Sequence, residues 1–353
     1  MAEIQDLSLA LQRQVAKKIY NTAFSTPSFV SLLFALDNFY MKSPVKRIDP
    51  YGIEGGDMRI NFQVSQPVVR GVNRNGTDFS QRIIPLQANA ETIAGSIAES
   101  AYEFLEAIDR YKINRLKGDK MLSEFVKLTA AQCADAWITK INSDFWPSTQ
   151  QVGGTGQYAQ SDKIMAFAYP LQTGFSGNAA TGTGTYSYLG IDLNTRTNIK
   201  ALNYGTDSQG VTPTIGNLRQ NLIMPLRQRG AKVDLMIAGS ADYEYLINQA
   251  DAEVRLSYEK ELEFGGTYVK LEDIFVIYEP MIDLLPKSEI YVGDSSTLRV
   301  GMDGDNKDRL KSFSVIDPFP QAPSMVAIQG YNEICFVNEN PRYWGRAYNT
   351  VRS

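Results

Sequence analysis

The stretch from Gly55 to Trp146 constrains this chain more than any other, because a strictly alternating strand opens a long ribbon that leads into a lone amphipathic helix. Met58, Ile60, Phe62 and Val64 interleave with Arg59, Asn61, Gln63 and Ser65, the period of a strand with one face covered. Asn75-Gly76 supplies the positive-φ geometry of a hairpin tip, and the chain returns through Ile83, Ile84 and Leu86. A two-stranded ribbon alone is marginal in water, so one of this length needs a surface outside itself to rest on. Beyond Gly118, Leu122, Phe125, Val126, Thr129, Cys133, Trp137, Ile138 and Ile141 form one helical stripe. That predicts a helix over about Lys120 to Phe145, roughly 40 Å long at 1.5 Å per residue. Between Glu91 and Asn114 local periodicity is undecided: Ile93, Ile97, Phe104 and Ile108 suit a helix, whereas Tyr102 and Phe104 alternate as in a strand.

Composition excludes much chemistry. The 353 residues contain no histidine, which removes Ser-His-Asp and Cys-His nucleophilic sites, imidazole-bound zinc and histidine general bases. Cys133 and Cys335 are the two cysteines and show no pairing pattern, so both are expected to be buried thiols in a reducing compartment. A net charge of −4, from 35 Lys+Arg against 39 Asp+Glu, gives no global attraction to nucleic acid or to an anionic membrane. The apolar run Phe29 to Leu36 is too short for a bilayer, which needs about 20 residues, and reads as a docked helix.

Around this centre the chain divides readily. Leu7, Leu11, Val15 and Ile19 mark a helix, and Pro27 introduces a second one, together an N-terminal arm. Gly52, Gly55 and Gly56 break the chain before the ribbon. Pro147 to Gly210 reads as loops with short strands. A helix follows over Thr214 to Arg229, with a kink expected at Pro225. Val233 to Ala238 is a buried strand and Ser240 an N-cap for the next helix. Alternating segments at Tyr268 to Tyr278, Glu289 to Val300, Leu310 to Ile316 and Met325 to Val337 complete a mixed α+β second half with antiparallel strands.

Apparent motifs weaken on inspection. Gly153-Gly154-Thr155-Gly156 lacks the Lys-Ser/Thr of a phosphate cradle, and Asp303, Asp305 and Asp308 lack the Gly and Glu positions of a calcium loop. Carboxylate pairs such as Glu261 and Glu263 or Glu103 and Glu106 have no second element to make an acid–base site. No catalytic, metal or cofactor site is expected. Arg59, Arg70, Arg74 and Arg82 line the ribbon, with Asp78 the one acid between Met58 and Ala90. They read either as a solvated edge that resists aggregation or as contacts to acidic residues on adjacent copies.

The order of these parts resembles tailed-bacteriophage major capsid proteins of the Hong Kong ninety-seven fold. The resemblance rests on the break at Gly55-Gly56 before Met58-Arg59-Ile60-Asn61-Phe62, the ribbon, and the long helix ending Ser143-Asp144-Phe145. It extends through Tyr188-Leu189-Gly190-Ile191-Asp192, Lys232-Val233-Asp234-Leu235-Met236-Ile237, Glu272-Asp273-Ile274-Phe275-Val276 and Tyr291-Val292-Gly293-Asp294. It implies an arm (1–46), an extended loop (47–112), a spine helix of a peripheral domain (113–150), an axial domain (151–310) and final strands completing either domain (311–353). It also makes Glu91 to Asn114 the returning strand.

Under that resemblance the expected role is a shell of pentamers and hexamers around double-stranded DNA held without sequence-specific contacts. The shell would be assembled in the host cytoplasm and carried in the virion, with scaffolding, portal and decoration proteins as possible partners and no membrane. Met58, Arg59, Ile60, Phe62, Val64, Arg70, Arg74 and Arg82 would touch neighbouring subunits. Leu122, Phe125, Val126, Trp137 and Ile141 would pack the spine helix, and Gly52, Gly55 and Gly56 would act as hinges. The inner surface is expected to lack a dense basic lining, and the scaffold to be a separate protein. Isopeptide welding from a loop lysine is not available, since no lysine lies between Lys46 and Lys112. Rival readings are an encapsulin-like compartment for protein cargo, an antiparallel binding module, and a soluble enzyme.

Overall fold

A computed structural model describes residues 46–48, 57–63, 92–98, 100–109, 111, 119–146, 166–171, 187–188, 191–192, 199–205, 209–253, 268–271, 273–285, 287–302, 312–316 and 324–351. The arm through residue 45, Gly52, Gly55, Gly56, Val64, Arg70, Arg74, Arg82, the Asn75-Gly76 tip, the Gly153 to Gly156 loop and the Asp303, Asp305 and Asp308 turn lie outside the described residues.

Short strand β1 (Lys46–Ile48) precedes β2 (Asp57–Gln63), β3 (Thr92–Ala98) and β4 (Ser100–Asp109). The Glu91 to Asn114 segment is therefore chiefly strand, and the local helical signal gives way to tertiary pairing: β3 pairs antiparallel with β2, and β4 with a strand more than two hundred residues later. Helix α1 (Asp119–Phe145) has the length its stripe predicts. Thr129, Cys133, Trp137, Ile138, Ile141, Asn142 and Phe145 are buried along one side of it, and Leu128, Gln132, Asp135, Ala136, Thr139, Lys140 and Ser143 are exposed on the other. The Tyr102 hydroxyl of β4 donates to Asp144 Oδ2 at 3.1 Å, which fastens the helix end to that strand.

After the two-residue strands β5 (Ser187–Tyr188) and β6 (Ile191–Asp192) comes β7 (Leu202–Tyr204). Helix α2 follows in three continuous pieces, Ile215–Leu218, Arg219–Ile223 and Met224–Gln228. The chain stays helical through Pro225. The middle piece is a π turn in which the Met224 N–H donates to Arg219 O. Widening the helix just before a proline relieves the clash of its ring with the preceding turn and absorbs the missing donor. Gly230, at φ 92°, then closes the helix: its N–H donates to Arg227 O and that of Ala231 to Leu226 O, a Schellman pair that only a residue tolerant of positive φ makes cheaply.

Strand β8 (Leu235–Ala238) is buried throughout and leads into α3 (Ser240–Glu253). Ser240 is the first residue inside this helix rather than its cap, and its N–H is held by Asp283 Oδ1 at 2.8 Å. The run Tyr268 to Tyr278 is a hairpin of β9 (Tyr268–Leu271) and β10 (Ile274–Tyr278). Glu289 to Val300 is likewise two strands, β11 (Glu289–Gly293) and β12 (Leu298–Met302), separated by a 3₁₀ turn at Ser295–Thr297. Strands β13 (Ser312–Ile316), β14 (Met325–Asn338) and β15 (Trp344–Tyr348) follow.

Two sheets organise the fold. In the six-stranded sheet the order is β7-β15-β11-β8-β10-β9, and it is mixed: β8 with β10 and β7 with β15 run parallel, against the expectation of antiparallel strands throughout. The parallel β8–β10 pair requires a crossover, which α3 supplies. Met236, Ala238, Val276, Ile290, Val292 and Ala347 form one face and pack with Leu218, Leu222, Leu226 and Leu246 of the two helices. The five-stranded sheet is built on β14, with β4 along one edge and β12 and β13 end to end along the other; β1 pairs with β12.

Candidate assembly surfaces

The ribbon register places Met58 across from Ile97, Ile60 from Gly95 and Phe62 from Ile93, so by alternation these positions share one face, and Arg59 with Ser96 and Asn61 with Ala94 share the other. The β2–β3 pair forms a two-stranded sheet of its own. An apolar face two strands wide is the arrangement that calls for an external partner. Of the predicted helix-packing residues, Trp137 and Ile141 are buried, at 4% and 0% exposure; Leu122, Phe125 and Val126 fall within α1, but their side chains lie outside the described residues. Leu105 on β4 and Leu128 on α1 are half exposed, which leaves apolar surface uncovered on the isolated subunit.

Where the end of α1 meets the two sheets lies a junction that sequence reasoning did not single out. Phe145 ends α1 and Trp146 follows it, Phe167 comes from the 166–171 segment, Tyr291 and Trp344 from the six-stranded sheet and Phe336 from the five-stranded sheet; all six are at most 2% exposed. Their rings meet edge-on or tilted, Phe145 with Phe336 at 4.9 Å and Phe167 with Trp344 at 5.2 Å. Gly293 is required here, because a Cβ would sit 2.2 Å from Trp344 Cδ2.

Beside the rings the face of the six-stranded sheet opposite α2 and α3 carries a buried ion pair. The Arg346 Nε donates to Glu289 Oε2 at 2.6 Å, its Nη2 donates to Glu289 Oε1, and the Tyr291 hydroxyl donates to Glu289 Oε2. The guanidinium stacks 4.6 Å from the Tyr348 ring. Burial alone would lower the Arg346 pKa, but Glu289, with Tyr291 and Tyr348, raises it above its ordinary value. The only local hint was a charged residue centred in the short run Trp344-Gly345-Arg346-Ala347-Tyr348.

Asp234 and Cys133 also have shifted acidity. Burial pushes the Asp234 carboxyl up, against the pull of the N–H and O–H bonds it accepts from Ser295. Burial, with Glu106 nearby, pushes the Cys133 thiol from 9.0 to about 11. The Cys335 side chain lies outside the described residues. Cys133 should therefore resist alkylation by iodoacetamide at pH 8: its thiolate fraction falls about a hundredfold for a shift of this size, and peptide mass spectrometry should show it modified only on unfolding. Since the folded state holds the proton more tightly, its contribution to stability is full below the unfolded pKa of about 9 and is lost as pH rises toward about 11. Rapid labelling of native Cys133 at pH 8 would contradict this placement.

No family model matches the chain, and no curated protein matches it by sequence. Solved structures do. A chain of the cyanophage A-1(L) capsid asymmetric unit superposes with a TM-score of 0.62 at 14% identity, covering 89% of this chain and 93% of that one. A capsid chain of a native GTA particle gives 0.53 at 11% identity, over 89% and 91% of the two chains. A chain from Gordonia phage Cozz gives 0.51 at 12% identity, over 93% and 88%. At these identities a shared shape establishes the fold alone: an α+β, Hong Kong ninety-seven-like capsid fold with a mixed sheet.

Proposed function

We propose that this chain is a major capsid protein that assembles into pentamers and hexamers and closes as an icosahedral shell around double-stranded DNA. The observation that carries the reading is agreement with the cyanophage capsid chain along about nine-tenths of both molecules. The ribbon supports it from physics, since a two-stranded sheet with an apolar face is stable only when that face is covered. Residues 1–46 act as the arm, 47–112 as the extended loop, α1 as the spine of a peripheral domain and the six-stranded sheet as the axial domain. Gly52, Gly55 and Gly56 let the loop change direction. Met58, Ile60, Phe62 and Val64 cover apolar surface on a neighbour, and Arg59, Arg70, Arg74 and Arg82 pair with its carboxylates. With no lysine from 47 to 111, the shell is held by non-covalent overlap or by a separate decoration protein. Scaffolding and portal proteins belong to the same reading, and assembly proceeds in the host cytoplasm before the virion is released.

Size-exclusion chromatography with negative-stain imaging of the expressed protein tests this directly. Closed shells of uniform diameter are expected, and nuclease-protected DNA inside particles made during infection separates a genome container from a protein-cargo compartment. A persistent monomer sinks the proposal. Replacing Arg59, Arg70, Arg74 and Arg82 together by glutamine should lower shell yield more than about tenfold, as four exposed pairs of about 0.5 kcal/mol each exceed the 1.4 kcal/mol of a decade. The thermal midpoint of the dispersed subunit should hardly move, because such surface changes cost about 0.5 kcal/mol or less. Unchanged shell yield would leave these arginines as a solvated edge.

A further inference from the structure

We propose that the crossing between the two sheets is a rigid weld, so that the angle between them is set when the subunit folds and is carried unchanged through any rearrangement of the assembly. Two short segments carry the chain between the sheets, from β11 to β12 through Asp294 and Ser295–Thr297, and from β14 to β15 through Glu339 and Pro341–Tyr343. One extended crossing permits rotation. Two that are bonded side by side oppose it, and here the Glu339 N–H donates to Thr297 O at 2.8 Å while the Trp344 indole N–H donates to Thr297 Oγ1 at 2.8 Å.

Each crossing is also anchored to a sheet. Asp234, just before β8, accepts from the Ser295 N–H at 2.8 Å and the Ser295 hydroxyl at 2.7 Å. Asp294 Oδ2 accepts the Lys232 N–H at 3.0 Å, and Asp294 Oδ1 accepts the Ser296 N–H at 3.0 Å. On the other strand the Tyr188 hydroxyl donates to Asn338 O at 2.7 Å and accepts from the Asn338 N–H at 2.9 Å. Arg299 and Glu339 form an ion pair across the two crossings at 2.5 Å. The aromatic rings fill the space between the sheets, and packed interiors of this kind have few intermediate arrangements to visit.

The inference goes beyond shell formation, because it concerns the subunit itself; its extension to the assembled state rests on the proposed function. Amide hydrogen exchange on the dispersed protein and on assembled shells provides the test. The amides of Lys232, Ser295, Asn338 and Glu339 should exchange within about tenfold of those of Met236 and Ile237 in every state. Thr297→Val, which removes the acceptor of Trp344, should speed exchange at Glu339 about tenfold and leave Met236 unaffected. Exchange at the four wild-type amides more than about a hundredfold faster than in β8, in any state, means a hinge and overturns the proposal. So does a Thr297→Val protein whose Glu339 amide is as protected as before. The dispersed subunit gives its result whether or not shells form, so failure of the weld and failure of the capsid reading are separable.

Discussion

Arg346→Ala should cost the subunit about 3 to 5 kcal/mol, the loss typical of removing one partner of a buried ion pair, out of a total stability of about 5 to 15 kcal/mol. The reason is what remains. Glu289 is 1% exposed and would hold a carboxylate in the interior with only the Tyr291 hydroxyl as a donor among the bonds described above. Urea unfolding of the dispersed protein measures the loss, and poor soluble yield would be its first sign. The pair itself contributes far less than its removal costs, since two charges leaving water lose nearly what their attraction returns. Replacing the whole group, Arg346→Met with Glu289→Leu and Tyr291→Phe, should thus recover stability to within about 2 kcal/mol of the original. A mild Arg346→Ala variant, below about 1 kcal/mol, would show that water reaches Glu289 and that the pair is not sealed.

Trp344→Ala should have an effect of similar size, about 3 to 5 kcal/mol, through the cavity left by a fully buried ring. Trp344 packs against Phe167, lies flat on Gly293 and holds Thr297 through its indole N–H, so its loss empties the space between the sheets. Trp344→Phe separates the contributions: most of the packing survives, and the loss should fall to about 1 to 3 kcal/mol, that of a smaller void and one lost hydrogen bond, since the Thr297 hydroxyl still donates to Asp294 O. Gly293→Ala approaches the same contact from the other side and should cost about 1 to 3 kcal/mol by overpacking, because the new methyl meets the indole. Near-UV circular dichroism and thermal unfolding report all three. Equal losses for Trp344→Phe and Trp344→Ala would shift the weight from packing to the hydrogen bond.

Sequence reasoning reached furthest where the signal was long and periodic. The stripe from Leu122 to Ile141 placed α1 to within a residue, and the alternation from Met58 placed β2. It faltered at Glu91 to Asn114, where β4 has Tyr102 and Ile108 buried and Leu105 and Ala107 exposed, but where strand identity depends on pairing with β14 far along the chain. The kink expected at Pro225 became a π turn, a choice made by the turn before the proline. Glu289 and Arg346 are 57 positions apart and meet only because β11 and β15 are neighbours. The alternation of Met58 to Phe62 was legible, but its register against Thr92–Ala98 was not; nor was the junction of rings, because its members come from five separate segments.

The pairing of β4 with β14 has a consequence for synthesis. Glu103 and Gln329, bonded across these strands, are 226 residues apart, and β1 waits for β12 in the same sheet. Contacts of such separation form slowly, since the loop between them must be closed before any pairing returns free energy. On the ribosome the ribbon and α1 emerge long before the strand that anchors them, whereas β8, α3, β10 and β11 can pair among themselves as they appear. The sheet that carries the ribbon therefore closes late. A chain released before residue 338 would lack the full strand on which the five-stranded sheet is built.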